Sequence, residues 1–293
     1  LNLESGNTLF IHERRRIELF LRALWGCEFK MQPFPVSTDA TSALARTFVD
    51  EDDIIYLPDT FCSVPARPGK EVYRAASVHA AAHIVFSRQT FLRRKVNPMQ
   101  NALIALIEDA RVESLAMRSF PGLRNLWLNM YPQFHFFNTD FLSLTKRLTR
   151  ALIDPRYVDE NAWVKKGRGL FLAQEHHLDD PQISIKLGLL LANDMGQMRV
   201  KFNAPGYLIE PSYRDDNRVL WEPQGIDVPL PDDPQPDQNM GDPSYSSART
   251  QETVGRQATE VTEVSSELFQ FSPPPALDNL SAVTSFYYPE WDY

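Results

Sequence analysis

Ala102-Leu103-Ile104-Ala105-Leu106-Ile107-Glu108-Asp109-Ala110-Arg111-Val112-Glu113 is the stretch whose reading decides the fold. Its apolar half has no polar break and runs directly into a charged half. Pro98 opens a helix over roughly 98–118, because proline's preset φ and missing N–H are both harmless in a first turn. A helix apolar on nearly all sides is buried. The charges that follow must then find partners inside the protein, since an unpaired buried charge is strongly disfavoured.

Working outward, residues 70–91 also read as a helix, rich in alanine at Ala75, Ala76, Ala80, Ala81 and Ala82. Alanine is the strongest helix former and leaves room for a neighbouring backbone. The same segment carries His79 and His83, spaced i and i+4 and therefore on one helical face. Residues 12–26 form an amphipathic helix through Ile17, Phe20, Leu21, Leu24 and Trp25, with Gly26 as its stop. Further helices are expected over 139–153, over 157–175 with an interruption at Gly167 and Gly169, and after Pro181. Residues 27–50 are mixed. Ile54-Ile55-Tyr56-Leu57-Pro58 reads as a strand of a small sheet or an extended edge segment, and some β structure is expected around 200–222. The aromatic segment 127–137 suits a core or a docking surface. The fold class is mainly α: a multi-helix domain with a minor β element, followed by a Pro/Asp/Ser-rich linker.

Three segments follow from composition. Residues 1–228 form the helical domain. Residues 229–265 are dense in Pro, Asp, Gln, Ser and Thr and read as a flexible linker, too poor in apolar surface to offset the entropy of ordering. Residues 266–293 regain aromatic character, ending in Tyr288-Pro289-Glu290-Trp291-Asp292-Tyr293.

The chain has 293 residues, 43% of them hydrophobic, and a net charge of -8. An acidic balance argues against general nucleic-acid binding, which needs a basic footprint. The local runs Arg14-Arg15-Arg16 and Arg93-Arg94-Lys95 read as solvated helix faces. Cys27 and Cys62 are the only cysteines and form no CxxC pair, so a reduced, cytoplasmic location is expected. No apolar run approaches the ~20 residues that span a bilayer. Residues 1–5 lack the pattern of a signal peptide.

Neither a GxxxxGK[ST] phosphate loop nor a GxSxG nucleophile elbow is present, so ATP hydrolysis and esterase chemistry have no motif here. His79-Ala80-Ala81-Ala82-His83 resembles the zinc-protease HExxH helix, but Ala80 stands where that motif has its general-base glutamate. Hydrolysis is accordingly disfavoured. Two readings of the polar cluster stay open. In one, His79, His83 and Glu108 ligate a metal, zinc or iron, with Asp109 and Glu113 as alternative ligands. Asp109 and Glu113 are i and i+4, so they could serve on one face as ligand and orienting partner. In the other, the histidines hydrogen-bond Glu108 or Asp109 directly, and Arg111 satisfies the remaining carboxylates. His176-His177 reads as exposed, and His12 and His135 give no signal.

Several segments together resemble a known family. These are Arg15 through Gly26, Tyr73-Arg74-Ala75-Ala76, the His79–His83 helix, Ile107 through Glu113, Phe120-Pro121-Gly122-Leu123 and the closing hexapeptide. They are similar, in order, to the N-terminal region of the CbbO/NorD group, whose members partner MoxR-type AAA+ ATPases. Glu108 to Glu113 is also similar, more weakly, to the CobT subunit of cobalt chelatase. The resemblance implies a non-enzymatic adaptor. In CbbO this region precedes a von Willebrand factor A domain that grips the client, Rubisco holding an inhibitory sugar phosphate, while the hexameric ATPase CbbQ supplies the force. In NorD the client is nitric oxide reductase. The histidine-containing segment is closer to the CbbO type. The DxSxS adhesion motif is absent from these residues, so a von Willebrand domain either follows Tyr293 or is missing, and the resemblance favours the first.

Overall fold

The computed structural model describes residues 8–36, 46–61, 68–87, 91, 96–131 and 138–221. The chain divides into two units, Leu1–Val228 and Pro229–Tyr293, and every described residue belongs to the first. The expected linker at 229–265, the closing segment 266–293, residues 132–137 of the aromatic stretch, Arg93-Arg94-Lys95, His135 and Cys62 lie outside the described residues.

In chain order the elements are β1 (Thr8–Leu9), α1 (Phe10–Trp25), β2 (Lys30–Phe34), β3 (Phe48–Val49), β4 (Ile54–Pro58), β5 (Thr60–Phe61), α2 (Gly69–Phe86), α3 (Pro98–Ser119), α4 (Leu123–Leu128), α5 (Phe141–Ile153), α6 (Ala162–Ala173) and α7 (Gln182–Gln197). The domain is mainly α with a small β element. A three-stranded sheet has the order β2-β4-β3, with β2 parallel and β3 antiparallel to β4. The Ile54–Pro58 strand is therefore central rather than an edge. Pro33, which cannot donate to a ladder, sits on the edge strand β2, where that loss is tolerated. β1 and β5 pair antiparallel as a separate two-stranded sheet.

Two large apolar clusters flank the α2–α3 pair. One gathers Ile17 and Leu21 of α1, Ile55 and Leu57 of β4, the alanines of α2, and Trp127 of α4. The other joins Leu103, Leu106 and Ile107 of α3 to α5, α6 and α7 through Leu144, Leu148, Val164 and Leu191. Fully burying such a side chain is worth about 1.5–3 kcal/mol. The small residues of α2 let neighbours come close, and the Trp127 indole Nε1 donates to Ala75 O at 3.2 Å. α3 starts on a capping box, in which Asn97 Oδ1 accepts from Gln100 N and Gln100 Oε1 accepts from Asn97 N. The basic run of α1 is a solvated face whose guanidiniums reach Glu13 and Glu18 of the same helix.

Three expectations are corrected. The alanine-rich helix ends at Phe86, with Ser87 as its cap, instead of continuing to residue 91. Gly167 and Gly169 do not interrupt α6. Gly167 is a point of close approach, since a Cβ there would stand 2.8 Å from Leu148 Cδ1. The segment around 200–222 forms 3-10 turns at Ala204–Gly206 and Arg218–Leu220 and a lone bridge from Phe91 to Trp221, rather than strands. Asp side chains that hydrogen-bond backbone two residues on, and Asn217 at φ 57°, turn the chain where a ladder would need it extended.

Candidate metal centre

α2 brings His79 and His83 onto the face it turns towards α3, with ring centroids 4.8 Å apart. Both are buried, and so are Glu108, Asp109, Arg111 and Glu113 of α3. A third segment closes over the two helices. It contributes Tyr213, Arg214 and Asp215, also buried. Its shape is set locally: Arg214 N donates to Pro211 O, Asp215 Oδ1 accepts from Asn217 N, and Asp216 N donates to Thr47 O.

At the centre, one atom each of His79, His83, Asp109 and Asp215 lies within 4.8 Å of the other three, a group that can hold a metal ion. His83 Nε2 is 3.3 Å from Asp109 Oδ1 and 3.9 Å from Asp215 Oδ1. His79 Nε2 is 3.9 Å from Asp109 Oδ1 and 3.8 Å from Asp215 Oδ1. A tetrahedral ion with bonds of about 2.0–2.2 Å has ligand atoms about 3.3–3.6 Å apart. The four histidine–aspartate separations, 3.3–3.9 Å, lie at or a little above that range. Both Nε2 atoms and Asp109 Oδ1 are buried without a completed hydrogen bond. Nearly all buried polar groups in proteins are paired, so several orphans facing one point are an unusual feature.

The outer nitrogen of each imidazole is linked to a carboxylate, directly for His79 and through a serine hydroxyl for His83. His79 Nδ1 lies 3.1 Å from Glu113 Oε1, within ion-pair reach though short of the alignment of a full hydrogen bond. Glu113 is itself held by Tyr213 Oη at 2.9 Å and by both Nε and Nη2 of Arg214. His83 Nδ1 lies 2.9 Å from Ser87 Oγ, and that hydroxyl donates to Glu108 Oε1 at 2.6 Å. With its proton committed to Glu108, Ser87 accepts from His83. The His83 proton then sits on Nδ1 and the Nε2 lone pair faces the centre, the tautomer a metal ligand needs.

Glu108 itself does not join the central group. Arg111 Nε and Nη2 donate to its two oxygens at 2.7 Å each, and Ser184 Oγ of α7 adds a third donor. Arg111 is completed by the carbonyls of Leu178 and Phe86. Of the three carboxylates singled out in sequence, Asp109 lies with the histidines, Glu113 orients His79, and Glu108 anchors the shell behind His83. Asp215 was not singled out. Its only sequence signal is the charged run Arg214-Asp215-Asp216, which has no helical or ligand spacing to the histidines.

Electrostatics favour a cation. Glu108, Asp109, Glu113 and Asp215 bring four negative charges, and Arg111 and Arg214 bring two positive ones, all fully buried. With neutral imidazoles the balance is two negative charges, the charge of one divalent ion. Without an ion the histidines must carry some of it. Burial alone lowers the His83 pKa, but the charges of Asp215 and Asp109 outweigh it and raise the value to about 9. Burial likewise works against ionising Glu113, yet Arg214 and His79 bring its pKa down to about 2. Burial pushes the Asp215 carboxyl up, with the two histidines opposing.

A cavity of about 10 Å³ borders Asp109, Arg214 and Asn217. That is room for about one water molecule. His176 and His177 lie in an exposed 3-10 turn away from this group, and His12 is exposed on α1. Among the described residues no helix is long and apolar enough to cross a membrane. No known family, curated protein or solved structure matches the chain.

Proposed function

We propose that this chain is a non-enzymatic adaptor of the CbbO/NorD type, working with a hexameric MoxR-type AAA+ ATPase on Rubisco blocked by a sugar phosphate. The observation that carries the reading is that the resembling segments among the described residues meet in one assembly. α1 packs on α2 through Ile17 and Leu21, and α2 packs on α3. The turn at Phe120–Leu123 leads into α4, whose Trp127 is bonded to α2. Residues that are scattered in sequence thus share one core and one polar centre.

The centre suits a supporting role better than a catalytic one. Its histidines and aspartates are at most 1% exposed. Ala80 stands where a zinc peptidase needs its base, and the adjoining cavity of about 10 Å³ is too small for a peptide. Zinc or iron, carried by His79, His83, Asp109 and Asp215, is the ion assigned to it.

The test is reactivation of sugar-phosphate-inhibited Rubisco by the ATPase, with and without the subunit that carries this chain. Dependence on the subunit is the expected result. Equal rates in both arms would end the Rubisco reading, and co-purification with nitric oxide reductase in that case would move the client to the NorD type.

A further inference from the structure

We infer that the ion at His79, His83, Asp109 and Asp215 is a clasp that fastens the segment 211–221 onto the α2–α3 pair. The inference rests on the metal assignment above and is independent of the adaptor's client.

Three of the four ligands come from α2 and α3, which are already packed against each other. Asp215 is the one ligand supplied from elsewhere in the chain. Coordination therefore adds little between the two helices and much between them and this segment. The segment has few regular backbone bonds of its own. It is tied to α3 by Tyr213 and Arg214 through Glu113. Asp216 N reaches Thr47 O beside β3, and the Arg218 guanidinium lies 3.7 Å over the Phe48 ring. Leu220 and Trp221 then form a small apolar cluster with Phe91 and Ile104. Anchoring Asp215 thus holds β3 and this cluster in place as well.

The donor set defines the ion class. Two imidazole nitrogens and two carboxylate oxygens in a closed, buried, four-ligand arrangement suit a divalent first-row transition ion such as zinc or iron. Calcium takes six to eight oxygen ligands and magnesium keeps an octahedral, largely hydrated shell, so neither matches. The orphaned Nε2 atoms and Asp109 Oδ1 are the positive evidence for an occupant.

The experiment is metal analysis of the purified chain, followed by amide hydrogen exchange before and after chelation with phenanthroline and after adding back zinc or ferrous iron. About one ion per chain is expected. On removal, the amides of 213–221 should exchange at least tenfold faster, with return to the slow rate on reloading. Asp215→Asn should lose the ion and reproduce the fast exchange. Ser87→Ala, which removes the hydroxyl linking His83 Nδ1 to Glu108 and leaves all four ligands in place, should weaken binding about tenfold and keeps the test valid should Asp215→Asn not fold. Chain that takes up neither zinc nor iron overturns the metal assignment. Chain that binds the ion but shows unchanged exchange at 213–221 overturns the clasp.

Discussion

His83 Nε2 lies 3.3 Å from Asp109 Oδ1, while Glu108, one residue earlier on the same helix, turns both its oxygens to Arg111. Successive residues of an α-helix point about 100° apart, so two adjacent acids serve different neighbours. Asp109 faces α2 and the centre, and Glu108 faces Arg111 and α7.

Glu108→Gln and Asp109→Asn should have opposite signatures. The first removes the charge opposite buried Arg111 and is expected to destabilise the fold by about 3 kcal/mol while leaving the ion bound. The second removes a ligand and should weaken metal binding at least tenfold. Denaturant midpoints combined with metal stoichiometry separate them, and metal loss in Glu108→Gln would restore Glu108 as a ligand.

Gly188→Ala should destabilise the domain by about 2–3 kcal/mol, as overpacked core positions do. A Cβ on Gly188 of α7 would stand 2.6 Å from Ile104 Cα and 2.7 Å from Ile104 N. The obstacle is backbone of α3, which cannot rotate away. Urea unfolding monitored by circular dichroism measures the loss, and an unchanged midpoint would show that α7 can shift outward freely.

Asn97→Ala should cost about 1 kcal/mol by removing one half of the capping box of α3. The effect should be local. Faster amide exchange is expected at Gln100, with the centre of α3 unchanged, because capping acts on the orphan donors of the first turn.

Asp159 gives a pH-dependent term away from the centre. Burial raises its pKa, but bonds from Arg147 and Tyr157 outweigh that and hold it below the ordinary 3.8. Arg147 Nε donates to Asp159 Oδ2 at 2.8 Å, and Tyr157 Oη donates to the same oxygen at 2.7 Å. A carboxyl depressed in the folded state stabilises the fold above its unfolded value, and that contribution is lost as pH falls through the folded value. Stability measured downwards from pH 5 should therefore fall more in the parent than in Asp159→Asn, with the difference developing below about pH 4. Parallel profiles would show that the triad contributes nothing to acid stability.

Much of the helical order was legible in the sequence because period and punctuation are local properties. Gly26 and Pro98 place the end of α1 and the start of α3 almost to the residue, while the Ala-rich run locates α2 but overshoots its C-terminal end at Phe86. Gly167 misled for a physical reason: glycine weakens a helix only by what it lacks locally, and contact with Leu148 supplies a reason for it that no local pattern contains. The strand expected near 200–222 failed in the same way, since the turns there are set by Asp215, Asp216 and Asn217 side chains acting on their own backbone.

The sequence by itself determined that His79 and His83 share a face, that Asp109 and Glu113 share another, and that both helices are buried. These follow from the 3.6-residue repeat and from the apolar surroundings. Only the tertiary structure decided how α3 is rotated against α2, which selects Asp109 over Glu108 for the centre. It alone brings in Asp215 from a segment remote in the chain. Such a contact leaves no spacing to read, because the chain folds back through turns whose direction depends on what they pack against.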